Sequence, residues 1–170
     1  MPISIEMVPP DDDSYLDLLH EAGATSIIMN VEIWAPSLRA TFCPGKCEVS
    51  VERYLDAIAY AVRLFGKGQV ASVLIAGLQS KDILIEGACK LIEIGAIPTV
   101  IPFKPFDACQ LSQFPTVDPS EVLAIYHTIS TLLAERGLNP ACQKGCTGCG
   151  GCSLENLVFT QTSEITQSQH

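Results

Sequence analysis

Four cysteines crowd one short stretch near the C-terminus of the 170-residue chain. Cys142, Cys146, Cys149 and Cys152 follow the spacing C-x3-C-x2-C-x2-C, with glycine at several of the intervening positions. Closely spaced thiolates on a flexible backbone are suited to an iron–sulfur cluster. Structural zinc usually takes its ligands from two separated C-x2-C pairs, so the continuous run favours a [4Fe–4S] cluster over zinc. Zinc, disulfides and free thiols remain alternatives.

Two polar residues inside an apolar stretch form a second candidate site. Asn30 and Glu32 lie two positions apart near the end of a predicted strand, so their side chains point to the same face of the sheet. Two neighbouring acceptors could bind the hydroxyls of a ribose. They could equally lie at a solvated strand end, and the residues alone leave both interpretations open.

Composition excludes some classes of function. The formal charge of −9 argues against nucleic acid as a partner, because binding phosphates requires clustered Lys and Arg. No apolar stretch reaches the ~18 residues of a membrane span, and the N-terminus shows no signal peptide. We therefore expect a cytoplasmic protein, in which crowded cysteines indicate metal binding more often than disulfides.

Apolar runs alternate with amphipathic stretches along the chain. Glycines follow the helical patterns, and Ser50 and Asp118 provide N-caps. We expect one domain over residues 1–157, which includes the cysteine-rich segment 142–152, and a disordered polar tail over 158–170. The predicted strands are 3–8, 26–34, 70–76 and 97–103; the predicted helices are 14–22, 51–65, 81–94 and 119–136; and 35–49 is predicted to be a polar loop.

The alternation of apolar strands with helices predicts an α/β fold with a parallel sheet. About four β/α units correspond to a partial (β/α) barrel with a cysteine-rich C-terminal extension, or to a small open sheet. In a barrel, polar side chains at the carboxyl ends of strands usually meet a ligand.

The order of several short motifs resembles the second half of a radical S-adenosylmethionine (SAM) enzyme of the biotin-synthase-like group. With the terminal cysteines included, the chain is most similar to an uncharacterised radical SAM family associated with nitrilase gene clusters. The resemblance covers about residues 3–155. It is carried by Asn30-Val31-Glu32, Glu52-Arg53-Tyr54, residues 73–78, and Ile97-Pro98 through Lys104-Pro105.

The resemblance implies a [4Fe–4S] cluster and SAM as cofactors and assigns roles to individual residues. Asn30 and Glu32 match residues that bind the SAM ribose. Arg53 matches an arginine that pairs with the methionine carboxylate, and Gly77 matches a glycine where the backbone approaches the adenine. The substrate would be a small molecule.

The chain departs from the family at the SAM-cleaving cluster. That cluster is bound by a C-x3-C-x2-C loop after the first strand of the barrel, and no such loop is present at that place. Cys43 and Cys47 have the first spacing, but Ser50 stands where a third cysteine would be needed. We therefore expect a chain that is inactive alone and needs an N-terminal radical SAM half, or self-association. The alternatives are a stand-alone iron–sulfur module, for electron transfer or cluster delivery, and a zinc-stabilised structural protein.

Overall fold

Four parallel strands form one sheet in the order β1-β2-β3-β4. They are β1 Ser4–Glu6, β2 Ser26–Ile28, β3 Val70–Ala76 and β4 Ile97–Pro102. The computed structural model describes residues 1–149 and 151–167, with the side chains of 1–145, 148–149 and 151–162. Each strand pairs with the next one along the chain, as in a (β/α) barrel. The predicted partial β/α fold is therefore confirmed.

Helices connect the strands and follow the last one. Their bounds are α1 Ser14–Glu21, α2 Pro36–Phe42, α3 Val51–Phe65, α4 Lys81–Ile94, α5 Pro119–Glu135 and α6 Glu155–Gln167. Local signals set the ends of the longer ones: the Ser50 hydroxyl accepts from Arg53 N at 3.1 Å, and the Asp118 carboxylate accepts from Ser120 N at 2.7 Å. Gly95 ends α4 in the left-handed conformation that glycine adopts without a Cβ clash. No helix in the described part of the chain is long and apolar enough to cross a membrane.

The second strand is shorter than the predicted 26–34 because its ladder contains a bulge. Ile28 pairs with Ala71, and the next bridge joins Glu32 to Leu74. Between these two bridges the chain that continues β2 advances four residues, while β3 advances three. Asn30 lies in the bulge, and its side-chain oxygen accepts from Val73 N at 3.0 Å. A side chain thus replaces a backbone carbonyl in the ladder, and the strand bends at this point.

Two further predictions are wrong. The expected loop 35–49 contains helix α2 and a short 3₁₀ turn, Pro44–Lys46, and each of these begins with a proline. The expected disordered tail 158–170 instead continues helix α6 as far as Gln167, and residues 168–170 lie outside the described residues. Two apolar side chains within the polar tail, Val158 and Phe159, are buried, which explains why the segment folds.

The hydrophobic core lies between the sheet and its helices. Along the bulged strand every second side chain, Ile27, Met29, Val31 and Ile33, is fully buried in this layer. The intervening residues face the opposite side of the sheet, because successive side chains alternate between faces. The polar residues of the second candidate site belong to this opposite face.

The outer edge of β4 is closed to further strand pairing. Pro98 and Pro102 have no N–H group to donate. The outward N–H of Val100 donates to the Glu155 carboxyl, and the outward carbonyl of Val100 accepts from the Tyr126 hydroxyl at 2.9 Å. The sheet therefore ends at β4.

Candidate functional site

A cavity of about 350 Å³ lies on the sheet face opposite the helices. One wall is formed by strand residues and the other by the cysteine-rich segment. Its lining residues are Glu6, Ile28, Asn30, Glu32, Ala71, Val73, Ile75, Thr99 and Ile101 from the sheet, and Cys149, Gly151, Cys152 and Ser153 from the C-terminal segment. The structure thus brings Asn30 and Glu32 together with Cys149 and Cys152 in one cavity.

The cysteine-rich segment reaches the cavity by crossing the beginnings of the first three strands. The Lys144 carbonyl accepts from the hydroxyl of Ser26 at 2.8 Å and from that of Ser4 at 3.2 Å. Gln69 binds the same segment through both ends of its amide, accepting from Lys144 N at 3.1 Å and donating to the Cys142 carbonyl at 3.2 Å. These contacts hold the segment against the sheet before Cys149.

The far end of the segment is anchored by Glu155, which is 3% exposed. Its carboxyl accepts from Val100 N on the edge of β4. Burial raises the pKa of Glu155 to about 8, and the hydrogen bond from Val100 opposes this shift without cancelling it. The cysteine wall is therefore fixed at both ends.

Asn30 is a cavity residue that also supports the sheet. Its amide nitrogen donates to Glu6 Oε1 at 2.7 Å, and its oxygen accepts from Val73 N. Both polar ends of the side chain are thus engaged within the protein. Asn30 is held rigidly, and it shapes the bulge that directs Glu32 into the cavity.

Glu32 has a positive φ of 65°, the only such value among the described non-glycine residues. A non-glycine residue rarely adopts this conformation, which often marks a functional site. One carboxylate oxygen of Glu32 lies 2.5 Å from Lys46 Nζ, and the other lies 3.5 Å from Cys43 Sγ. Lys46 Nζ also donates to the Asn30 carbonyl at 3.3 Å.

Cys43 is held as a neutral thiol by this environment. Burial and the neighbouring Glu32 carboxylate raise the pKa of Cys43 to about 11, while Lys46 and Arg39 oppose the shift. A thiolate is the form that binds metal or attacks electrophiles. Cys43 is therefore poorly suited to either task in this arrangement.

Arg53 and Gly77 lie outside the residues that line the cavity. The Arg53 guanidinium lies 2.6 Å from Asp13 Oδ1 and also donates to the Pro10 carbonyl, so it joins α3 to the beginning of α1. Gly77 has a φ of 98°, and a Cβ there would lie 3.0 Å from Val117 Cβ. Local backbone geometry thus accounts for this glycine. The predicted ligand roles of Arg53 and Gly77 remain predictions.

The donor chemistry of the terminal cysteines fits an iron–sulfur cluster or zinc. Cys142, Cys149 and Cys152 are exposed free thiols, and Gly151 N lies 3.4 Å from Cys149 Sγ. Among the side chains that the structure describes, no three His, Cys, Asp or Glu residues lie close enough together to hold one metal ion. The predicted fourth ligand, Cys146, has its side chain outside the described residues.

Sequence reasoning missed several residues around the cavity. Lys46, Glu6 and Glu155 stand in no recognisable motif. Gln79 is buried and joins Trp34 N to the Glu32 carbonyl, at 2.8 and 3.4 Å. The signal available in the sequence was the position of a glutamine just after an apolar strand; its burial is seen only in the structure.

Comparison with known proteins identifies the class of fold. Coproporphyrinogen III oxidase from Escherichia coli, a radical SAM enzyme, superimposes with a TM-score of 0.61 at 20% identity, over 80% of this chain and 32% of its own. A radical SAM methyltransferase from Sphaerobacter thermophilus gives 0.58 at 17% identity, over 80% of this chain and 38% of its own. The chain therefore has the fold of part of a radical SAM enzyme, and the expected resemblance is confirmed at this level.

A sequence relative covers a similar share of the chain. Bacteriochlorophyllide c C-7(1)-hydroxylase from Chlorobaculum limnaeum is 26% identical over 115 residues, which are 66% of this chain and 29% of that protein. No protein-family model matches the chain. The chain spans between 29% and 38% of the lengths of these three relatives.

Proposed function

We propose that this chain is the C-terminal part of a radical SAM enzyme, in which it binds an iron–sulfur cluster and contributes contacts to SAM and a small-molecule substrate. One observation carries the proposal: Asn30 and Glu32 line the same cavity as Cys149 and Cys152. A cluster on the terminal cysteines would therefore stand beside a ligand bound to the strand wall. The fold shared with radical SAM enzymes supports the assignment.

The chain's own residues would bind and orient the ligand. The Glu32 carboxylate can accept hydrogen bonds from two ligand hydroxyls, and Asn30 keeps the bulge that aims it. Apolar side chains of β3 and β4 line the rest of the sheet wall and exclude water. A [4Fe–4S] cluster on the terminal cysteines would supply electron transfer next to the ligand, while the protein positions that ligand.

The partner would be an N-terminal radical SAM half that carries the missing C-x3-C-x2-C loop. The closed outer edge of β4 leaves β1 as the edge at which the sheet can be extended. Glu6 on β1 lines the cavity, so a strand added there would extend the cavity wall. Self-association through β1 is the alternative, and size measurements with and without the partner distinguish the two.

The test measures iron, acid-labile sulfide and zinc in protein purified without oxygen, before and after cluster reconstitution. We expect about four iron and four sulfide per chain. Cys149→Ser and Cys152→Ser should lose them, whereas the control Cys89→Ser, on α4 outside the cavity lining, should retain them. Equilibrium dialysis with SAM on the loaded protein tests the second half of the proposal. About one zinc per chain without sulfide would instead indicate a zinc-stabilised structural protein.

A further inference from the structure

We propose that a second cavity, next to the first, binds the substrate, and that this substrate is an apolar molecule with one carboxylate group. The inference rests on the proposed function, in which the first cavity holds SAM. It gives the small-molecule substrate a chemical class, which a shared fold alone does not define.

The second cavity has a volume of about 610 Å³ and lies at the carboxyl ends of β3 and β4. It shares Ile75, Ile101 and Cys152 with the first cavity. Its volume is within the range of small-molecule sites. A molecule bound in the second cavity therefore lies next to a ligand bound in the first.

Most of the second cavity is apolar. Phe106 lines it and is 71% exposed, although large apolar side chains are usually covered. Phe103, by contrast, packs edge-on against Phe114 with 5.9 Å between the ring centroids. An uncovered ring at an apolar cavity favours an apolar ligand that can pack against it. The apolar lining residues are Ile75, Ile101, Pro102, Phe103, Phe106 and Leu111.

One cation supplies the charge of the second cavity. Lys104 is the only charged residue among the described residues that line it. No carboxylate in the described part of the chain forms an ion pair with Lys104, and Asp107, the nearest acidic residue in the sequence, does not line the cavity. A single ammonium balances one negative charge, so it suits a carboxylate better than a phosphate, which carries a charge of about −2.

The charges of the two cavities orient the substrate. Glu6 and Glu32 line the first cavity, and the ion pair with Lys46 neutralises only one of them, so a carboxylate is repelled there. Lys104 lies beyond the end of β4, whereas two of the residues shared by the cavities lie within the strands. The carboxylate therefore lies at Lys104, and the apolar end of the substrate faces the first cavity.

The test uses 2-naphthoate and 2-naphthamide as probes, which share one apolar ring system and differ in charge. Equilibrium dialysis measures their binding to the full chain after cluster reconstitution. We expect 2-naphthoate to bind about threefold more tightly than 2-naphthamide, the effect of one exposed ion pair. Lys104→Gln should remove this preference, and Lys104→Arg should keep it.

A matched pair of leucine substitutions locates the binding. Leu111 lines the second cavity, and Leu123 lines a separate cavity of about 350 Å³ that also includes Lys104. We expect Leu111→Gln to weaken the binding of both probes by about fivefold or more, because it removes apolar contact area. Leu123→Gln should change either affinity less than about twofold. Thermal unfolding of each variant shows whether a loss of binding reflects unfolding.

Two results would overturn the inference while the proposed function stands: equal affinity of the unmodified chain for the two probes, and equal weakening by Leu111→Gln and Leu123→Gln. Absence of binding by the iron-loaded chain would also overturn it, and a dimer that Leu111→Gln disrupts would then identify the occupant as a second copy of the chain. The iron and sulfide contents of the same samples test the proposed function separately. A chain without a cluster would overturn that function and the substrate role, whether or not the probes bind.

Discussion

The two walls of the cavity are built in different ways. On the sheet wall, the polar side chains are held by partners within the protein: Asn30 by Glu6 and the Val73 N–H, and Glu32 by Lys46. On the opposite wall, the segment is anchored at its two ends, while Cys149 and Cys152 between them are exposed free thiols.

This difference indicates separate roles for the walls. A wall whose side chains are held in advance can orient a ligand with little loss of conformational entropy. A wall of unpaired thiols between two anchors takes its final geometry from whatever the thiols bind, because metal binding orders a site that is rarely preformed. The predictions below disturb one wall while leaving the other intact.

The largest effect is expected at the buried anchor of the cysteine wall. Glu155→Ala leaves the Val100 N–H without a partner and creates a cavity beneath α6. We expect it to lower the free energy of unfolding by about 2–4 kcal/mol, measured by urea denaturation. Glu135→Ala, at an exposed position on α5, is the control and should change stability by less than about 0.5 kcal/mol. Equal losses of stability in the two variants would contradict the role of Glu155 as the anchor of the cysteine wall.

The same anchor predicts how stability depends on pH. The pKa of Glu155 is about 8 in the folded chain against an ordinary value of 4.5, so the folded state binds the proton more tightly. This contribution to stability is fully present below about pH 4.5 and is lost as pH rises through 8. We expect the free energy of unfolding to fall by about 4 kcal/mol between pH 5 and pH 8.5, and to fall less in Glu155→Gln. An unchanged pH profile in that variant would show that another group is responsible.

Behind the sheet wall, Gly87 on helix α4 should be sensitive to a single added methyl group. A Cβ there would lie 2.8 Å from Cδ2 of Trp34, the residue that follows the bulged segment. Alanine normally stabilises a helix relative to glycine, but here we expect Gly87→Ala to cost about 1–3 kcal/mol. Gly45→Ala, which has no neighbour within 4 Å of the added Cβ, is the control. Thermal unfolding of both variants tests this, and we expect a lower melting temperature for Gly87→Ala than for Gly45→Ala.

The smallest effect is a change in reactivity without a large change in stability. Glu32→Gln removes a negative charge beside Cys43, so the pKa of Cys43 should fall from about 11. In a Cys47→Ser background we expect alkylation of Cys43 by iodoacetamide at pH 8.5 to accelerate about threefold or more, as followed by mass spectrometry. Cys89 in the same sample serves as the internal reference. An unchanged rate would show that Glu32 does not control this thiol.

Sequence reasoning succeeded where local signals determine structure. The bounds of α3, β3 and α4 agree with prediction. Each helix begins after a serine N-cap and ends before a glycine, and β3 is a continuous apolar run, so a few neighbouring residues are enough to recognise each element. The prediction that Asn30 and Glu32 share one face of the sheet follows from the two-residue period of a strand, and both residues line the cavity.

The features that were missed depend on contacts between distant parts of the chain. The bulge in β2 requires Asn30 to meet Val73, 43 residues away. The position of the cysteine wall depends on the Lys144 carbonyl meeting Ser26, 118 residues away. Such contacts arise from tertiary packing, so the spacing of the cysteines could indicate their chemistry but not the cavity they face.

The most direct test of the shared cavity is a crosslink between its two walls. Val73 lines the cavity, and Val73→Cys keeps the backbone N–H that donates to Asn30, so this substitution would be introduced into a chain that retains Cys152 as its only other cysteine. A short flexible bis-maleimide would be added before any metal is loaded. We expect rapid intramolecular crosslinking, and little in a control with Thr128→Cys on an exposed position of α5. Equal crosslinking in the two proteins would contradict the account, because the cysteine segment would then not face the strand residues proposed to bind the ligand.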